Sequence, residues 1–473
     1  MITSSLTENI SLLQQHLPIN ESYDYMTRNI AIAGIEGYLV GINGLCDTEC
    51  LQQIISDLQI SLFSSQSCTT PIPDFFASRL GFLGLSFSND WGNLLQSILS
   101  GPCVLFLEGF AYGIILDTRQ YPTRSMEEPA LEKVTGGSKD GFVETLSTNC
   151  ALVRRRIRSP KLVFARQTIG TESQTDVVIS YIKEAVDPDL LNLLQEKLQK
   201  LQVTSLTLGI HSLKELLLKK SIFHPLPSFL TTGRPDVACS YLLEGHILLF
   251  VDGSPTSLVL PCSIFQFCQS PEDYYKPLPV GNFIRILRYL CVFLSQFLMP
   301  FFLLVSIYPH LLPFPLTEPT LPLASFIYVL FVEFGLAIFQ YASSRAANDF
   351  SGAFAVVGGL LVGDMAVSLQ WTSEAVLFYG GATLLCTLGL PSLELGDAIR
   401  LYRIFLILMI GFFHGPGFFL GIFCILLSIA TTPTFGKGSY FWPLFPFHWP
   451  ALKTLLFRYP TFKAQPSKIW KNR

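Results

Sequence analysis

Long apolar segments dominate the second half of the chain. Four of them approach the roughly twenty apolar residues that a helix needs to cross a bilayer core; they are 286–308, 323–342, 352–370 and 375–393. A fifth, 402–432, is interrupted by His-Gly-Pro-Gly, where proline removes a backbone donor. This fifth segment is either one long tilted span or a segment that bends back. The pattern predicts an α-helical transmembrane bundle over 286–432.

The first half is polar, and its pattern changes to short strands and helices. Apolar runs at 29–40 and 103–116, bounded by Gly and Asp, are typical of strands, and 50–62 has helical spacing. These elements predict a first small α/β domain at 21–117. Two further segments complete this part of the chain: a flexible N-terminus at 1–20 and a linker at 118–140, which contains two prolines and a Gly-Gly pair.

A second small α/β domain is predicted at 141–275. Residues 187–200 form an amphipathic helix opened by Asp-Pro, a pair suited to the cap and first turn. The sequence VDGSP at 251–255 lies between two β-rich runs and predicts a hairpin. The remaining predicted elements are a helix at 141–158 and strands at 161–169, 176–182, 246–250 and 257–260.

Composition agrees with a membrane protein that has a water-soluble part. Half of the 473 residues are hydrophobic and only 14% are charged, against about a quarter in soluble domains. Of the 67 charged residues (32 basic plus 35 acidic), 49 precede residue 286. No folded region has a broad basic excess, which argues against binding to nucleic acid.

The distribution of Lys and Arg predicts the orientation. The loops 309–322 and 371–374 contain neither residue, as the positive-inside rule requires of loops on the far side of the membrane. The tail at 433–473 carries seven basic and no acidic side chains, which suits the anionic cytoplasmic leaflet. The N-terminal half and this tail are therefore predicted to be cytoplasmic. Basic residues flank the other ends of the segments: Lys276, Arg285, Arg288, Arg345, Arg400 and Arg403.

Four polar residues inside the apolar segments are candidates for a pore or a relay: Glu333, Asp364, Gln340 and His414. Ionisable groups at membrane depth are costly and usually face a bundle interior, an aqueous path or a partner. The two acids lie at similar heights and predict an acidic ring in an oligomer. The alternative is a static hydrogen bond between helices with the carboxyl protonated.

The third apolar segment is rich in glycine. Gly359 and Gly363 form the small-xxx-small pattern that lets helices approach closely. Gly352 and Gly358 extend this predicted packing surface.

Sequence motifs of catalysis and metal binding are missing. No nucleophile elbow, phosphate-binding glycine loop or paired nucleophile and base is present. Cys46 and Cys50 have no second pair to complete a zinc site. We expect no enzyme activity, no metal and no cofactor. The run Arg154 to Arg156 is interpreted as a solvated helix end, or as a contact for anionic headgroups or for an acidic partner.

Four stretches resemble one known family, the A subunits of the GerA-type spore germination receptors. They are residues 127–162, 234–255, 269–290 and 440–449, and the resemblance covers about 21–458. Residues 307–313 and 413–422 favour its sporulation-protein branch. The family-motif residues are Arg234, Pro235, Asp236, Glu244, Gly245, Asp252, Pro271, Glu272, Asp273 and Tyr274.

The resemblance implies a subunit of the forespore or spore inner membrane, with the N-terminal half facing the spore core. It implies an oligomeric ion channel that acts with other germination membrane proteins and contacts membrane lipids. A secondary transporter and a non-conducting scaffold that recruits channel components remain as alternatives.

Overall fold

The computed structural model describes ten parts of the chain: residues 2–32, 34–63, 84–121, 132, 134, 136–218, 224–311, 322–345, 363–436 and 439–457. Two α/β units come first, and a bundle of apolar helices follows them.

Unit I is a five-stranded antiparallel sheet with helices packed on it. Its strand order is β1-β2-β4-β5-β3. The elements are α1 (Leu6–His16), β1 (Tyr25–Ile32), β2 (Ile35–Ile42), α2 (Thr48–Phe63), β3 (Leu85–Ser88), α3 (Trp91–Ser100), β4 (Cys103–Leu107) and β5 (Gly113–Leu116). The runs predicted as strands at 29–40 and 103–116 do contain strands, and each run forms a hairpin. Their turns contain Gly34 and Gly109, which have positive φ angles of 80° and 85° and let the chain reverse.

Unit II is a second five-stranded antiparallel sheet, with the order β6-β7-β9-β10-β8. The predicted hairpin at 251–255 joins β9 to β10. The elements are α4 (Leu146–Arg156), β6 (Leu162–Ile169), β7 (Thr175–Ile182), α5 (Pro188–Gln199), α6 (Ile210–Leu217), β8 (Leu230–Thr232), α7 (Pro235–Leu243), β9 (Ile247–Val251) and β10 (Ser257–Leu260).

The two units repeat one topology. In each, a helix and a hairpin precede a helical segment, a single strand, another helix and a second hairpin, and the strand orders match one to one. Side-chain contacts repeat as well. Glu108, after β4, accepts from the Leu6 N–H at 2.6 Å, and Asp252, after β9, accepts from the Leu146 N–H at 3.3 Å. The N-terminal half is therefore a tandem repeat of one fold.

Residues 2–20, which belong to the predicted flexible N-terminus at 1–20, begin unit I. Helix α1 lies within them, and its apolar face is buried. Asn9 brackets the backbone of Thr3, accepting from its N–H at 3.0 Å and donating to its oxygen at 2.7 Å. Asn149 brackets Val143 in the same way at 2.8 and 2.6 Å. The segment is short and half polar, so its sequence pattern alone does not indicate that it packs on the sheet.

The apolar helices follow a short turn of helix. The elements are α8 (Glu272–Tyr275), α9 (Leu278–Ile307), α10 (Pro322–Arg345), α11 (Glu374–Leu388), α12 (Leu393–Ala430) and α13 (Trp449–Leu456). Within the described residues, three helices are long and apolar enough to cross a membrane, and α11 is shorter. Helix α9 begins at Leu278, eight residues before the predicted 286. The predicted segment 375–393 is broken after Leu388, where Ser392 caps the next helix.

Helix α12 reverses direction in the middle. His414 has φ 53° and ψ −132°, a conformation that no helix accommodates. The Tyr402 hydroxyl lies 2.8 Å from that of Ser428, 26 residues later, whereas a straight helix would separate them by about 39 Å. Of the two alternatives for the interrupted segment, the chain bends back. Its two arms, 393–413 and 415–430, pack as a helical hairpin.

Glycine makes the close approach of the two arms possible. A Cβ added at Gly417 would overlap the Met409 backbone oxygen. We expect Gly417→Ala to lower the free energy of unfolding by about 1–3 kcal/mol through overpacking, seen as a lower thermal midpoint in detergent. The control is Gly381→Ala on α11, where an added Cβ meets nothing within 4 Å. Equal midpoints for the two variants would refute this geometry.

Candidate functional site

A buried ion pair lies inside the helical bundle. Glu333 of α10 and Arg403 of α12 have side chains only 1% and 4% exposed, and Arg403 Nε donates to Glu333 Oε1 at 3.0 Å. A second guanidinium nitrogen binds the same carboxylate oxygen. Arg403 Nη1 also donates to the Ser295 backbone oxygen of α9 at 2.6 Å. One arginine thus links three apolar helices.

Further polar groups surround this pair. Arg400, one turn earlier on α12, donates to the Gln340 side-chain oxygen of α10. Among the described residues, no hydrogen-bond partner reaches Glu333 Oε2 or Gln296 Nε2, although both atoms are buried. The interior of the bundle therefore contains a polar layer between α9, α10 and α12.

Asp364 lies in a different place. It is exposed on the helical turn 363–368 and lines a surface hollow of about 570 Å³. The other lining residues are Val367, Ser368, Glu374, Leu377 and Phe378. Glu333 is not among them, because Arg403 holds it inside the bundle. Within one chain the structure does not bring the two acids together, and the acidic ring of an oligomer stays a prediction.

The other residues predicted for the membrane part are His414 and the packing glycines. His414 is exposed at the reversal of α12. Gly363 faces α11, where an added Cβ would lie 3.4 Å from Leu377 Cδ2. Gly352, Gly358 and Gly359 fall outside the described residues.

The junction between unit II and α9 contains a second buried cluster. Asp273 of α8 is fully buried. Its carboxylate accepts from Arg285 Nε at 3.2 Å and from two nitrogens of Arg288 at 3.0 and 2.9 Å. Arg288 also donates to the Cys268 backbone oxygen at 3.0 Å. The two arginines, predicted to flank the first apolar segment, also fix α9 to α8 and to the segment that follows unit II.

Other family-motif residues complete this junction. Tyr274 lies under the Arg285 guanidinium, 5.6 Å from it, and Glu272 pairs with Lys276 at 2.9 Å. Pro271 is the N-cap residue of α8. Burial raises the pKa of Glu244 to about 7, although the positive charge of Arg285 acts in the opposite direction.

Gly245 follows Glu244 and allows the start of the second hairpin of unit II to pack against the backbone of Ala185. Its φ of 95° and the nearby Ala185 backbone oxygen leave no room for a side chain.

Arg234 ties the predicted linker to unit II. Its buried guanidinium donates to the backbone oxygens of Glu132 and Ser138 at 2.9 and 2.8 Å. It also binds Asp236 at 2.9 Å, and the Tyr275 hydroxyl donates to the same carboxylate at 2.6 Å. Pro235 sits in the first turn of α7. Asp236 is therefore part of this cluster, and the end of the linker packs on unit II.

The basic run at the end of α4 is solvated only in part, because Arg155 and Arg156 are exposed whereas Arg154 is not. Arg154 is fully buried and donates to Asp24 Oδ2 of unit I at 2.7 Å. Its other nitrogens donate to the backbone oxygens of Ser159 and Leu162 at 2.9 and 3.0 Å. Arg156 pairs with Asp140 at 3.2 Å. Arg154 therefore joins unit II to unit I.

Within the described residues, no group of three or more His, Cys, Asp or Glu side chains could hold a metal ion. The described residues contain a series of buried arginines bound to acids, from unit I through unit II to the bundle. For all of them except Arg234, the acid lies in another part of the fold. Sequence reasoning assigned Arg403 and Arg154 to solvent-facing ends, because their partners lie far away in the chain.

The fold and these clusters define a membrane protein with a tandem α/β half ahead of a helical bundle. A model of the Bacillus/Clostridium GerA spore germination protein family matches residues 12–468. The chain belongs to this family. The family resemblance inferred from the sequence is thus confirmed.

Individual relatives match over nearly the whole chain. Stage V sporulation protein AF of Bacillus subtilis (strain 168) is 30% identical over 475 residues, which cover 98% of this chain and 95% of that protein. Spore germination protein KA of the same organism is 28% identical, covering 97% and 85%. Spore germination protein B1, also from B. subtilis, is 27% identical, covering 99% and 98%. These relatives are germination and sporulation proteins, not known enzymes.

One solved structure resembles the first half. It is the N-terminal domain of the A subunit of the Bacillus megaterium spore germinant receptor GerK3, with a TM-score of 0.42 and 26% identity. The match covers 55% of this chain and 95% of that one.

Proposed function

We propose that this chain is a membrane subunit of a spore germination complex and that it forms an oligomeric ion channel which promotes ion release during germination. The proposed location is the forespore or spore inner membrane, with the N-terminal half and the C-terminal tail on the cytoplasmic side. Other germination membrane proteins are the proposed partners.

The observation that supports an oligomeric channel is the exposure of Asp364. A carboxylate on the outer surface of apolar helices is costly in lipid, so it requires a neighbouring subunit or a water-filled path. Ser368 and Glu374 line the same hollow and add hydrogen-bonding groups and a second acid. Copies of this hollow around an oligomer would concentrate cations.

Ion flux in vesicles containing the purified protein tests this proposal. We expect Asp364→Asn to reduce cation flux several-fold without preventing insertion, because it removes the acid that faces the path. Asp397→Asn is the matched control, since Asp397 is also an exposed acid of the bundle, 69% exposed at the start of α12, but does not line the hollow.

The outcomes separate the channel from its alternatives. Flux that is equal for Asp364→Asn and Asp397→Asn would refute a path along Asp364. A wild-type protein that conducts nothing would favour the scaffold. Movement that depends on a coupled ion gradient would favour the secondary transporter, in which discontinuous helices such as α12 are common.

A further inference from the structure

The segment after α12 presents aromatic side chains to the outside of the molecule. We define the aromatic platform as residues 440–449. Within it, Phe445, Phe447 and Trp449 are 73%, 66% and 57% exposed, whereas Trp442 is only 4% exposed. Exposed aromatic side chains this close together require a covering phase or partner.

The platform is held in place by the rest of the protein. The Tyr440 hydroxyl donates to the Pro227 backbone oxygen of unit II at 2.8 Å, and the Ile264 N–H donates to the Tyr440 oxygen at 3.2 Å. Trp442 packs against Ala451 and Leu455 of α13. The exposure of the three aromatic rings is therefore a property of a packed segment.

The position of α13 places the platform beside the start of α9. The Leu455 backbone oxygen accepts from Arg285 Nη1 at 3.3 Å and from the Tyr289 hydroxyl at 3.2 Å. Elsewhere on its surface this part of α9 exposes Phe283 and Leu290, which are 66% and 49% exposed. Because α9 is a candidate membrane span, the platform lies near the end of that span that adjoins unit II.

The charge of the same region identifies what covers it. Residues 435–473 contain seven Lys and Arg and no Asp or Glu. Lys453, on α13, is exposed beside the platform. Aromatic rings at the boundary between apolar and wet surface, next to basic side chains, are typical of segments in the headgroup layer of a membrane. A protein partner would need an acidic rim and an apolar centre, whereas an anionic lipid surface supplies both along the whole platform.

We propose that the aromatic platform is an interfacial anchor that inserts Phe445, Phe447 and Trp449 into the headgroup layer of the leaflet adjoining unit II, with a preference for anionic lipid. Through Leu455 the anchor also holds Arg285 and Tyr289, so lipid contact sets the depth at which α9 enters the membrane. This role is separate from ion conduction and does not depend on it.

Depth-dependent quenching in nanodiscs tests the contact itself. The full chain is placed in phosphatidylcholine nanodiscs whose lipids carry bromine at shallow or deep acyl positions, and the emission of Trp449→Phe is subtracted from that of the wild type. The difference signal of Trp449 should be quenched more by shallow bromines than by deep ones. A signal quenched by neither would overturn the proposal, because it would mean that protein or water covers the ring.

Protection of the neighbouring backbone tests the lipid preference. Trypsin cleavage after Lys453 is followed by mass spectrometry in nanodiscs with and without phosphatidylglycerol. We expect cleavage to be about fivefold slower with the anionic lipid, the effect of one basic side chain at such a surface.

The variant for this assay is Phe445→Ser combined with Phe447→Ser, and it should lose most of the protection. The control is Leu208→Ser, because Leu208 is 71% exposed on unit II and lies outside the platform. Protection that survives the double variant, or that is absent in the wild type, would contradict the anchor.

Discussion

Arg403→Met should lower the free energy of unfolding of the helical bundle by about 3–5 kcal/mol, because it leaves a buried carboxylate without its partner. Glu333 is 1% exposed, and Arg403 also satisfies the Ser295 backbone oxygen at 2.6 Å. The loss of this one side chain therefore weakens the contacts of α9, α10 and α12 together. Thermal or denaturant unfolding of the full chain in detergent measures the effect.

Two further variants make this result specific. Combining Arg403→Met with Glu333→Leu should recover much of the stability, since an apolar pair of similar size is often as stable as a buried ion pair. Arg400→Met is the control, because Arg400 binds the neutral Gln340. The acid paired with it, Asp397, is 69% exposed, so no buried charge is left behind. If Arg403→Met and Arg400→Met destabilise equally, the ion pair does not hold the bundle.

Asp273→Asn should have the second large effect, also about 3–5 kcal/mol, because it leaves two buried guanidinium groups without their shared carboxylate. Arg285 and Arg288 have side chains 0% and 8% exposed, so water cannot replace Asp273. The change acts where unit II meets α9, and we expect the two parts to unfold less cooperatively. Calorimetry of the full chain would show a broader or split transition.

Glu272→Gln is the matched control for the junction. Glu272 is the preceding residue and pairs with Lys276 one turn away, but both side chains are 33% exposed. Exposed pairs contribute only about 0–1 kcal/mol. A midpoint for Asp273→Asn that equals that of Glu272→Gln would show that the buried cluster contributes little.

The repeat of the two α/β units was open to sequence reasoning but was missed. Residues 101–109 and 245–253 share a glycine at each end, a Leu-Phe pair in the middle and an acid before the last glycine. These acids are Glu108 and Asp252. In the structure their carboxylates accept hydrogen bonds from the first backbone N–H groups of α1 and α4. The signal is short, and the rest of the two units has diverged.

The sequence by itself determined what depends on local pattern and composition. Apolar length marks where helices can cross a membrane, and Asp187 with Pro188 marks the start of α5, where the Asp187 side chain accepts from the Asp189 N–H at 3.0 Å. The four family-like stretches indicated the family, which the comparisons confirm. These properties depend on residues that are close together along the chain, so they can be inferred from the sequence alone.

Only the tertiary structure decided which charges meet. Arg403 pairs with Glu333 seventy residues away, and Arg154 with Asp24 at a separation of 130 residues. In sequence, each of these arginines resembles a helix-end or loop cation, because local pattern contains no information on burial by distant segments. The same holds for the return of α12, since Gly417 permits close packing but only the opposite arm shows that it occurs. Local chemistry thus gave the elements of this protein, and long-range packing of buried charges determined how they are joined.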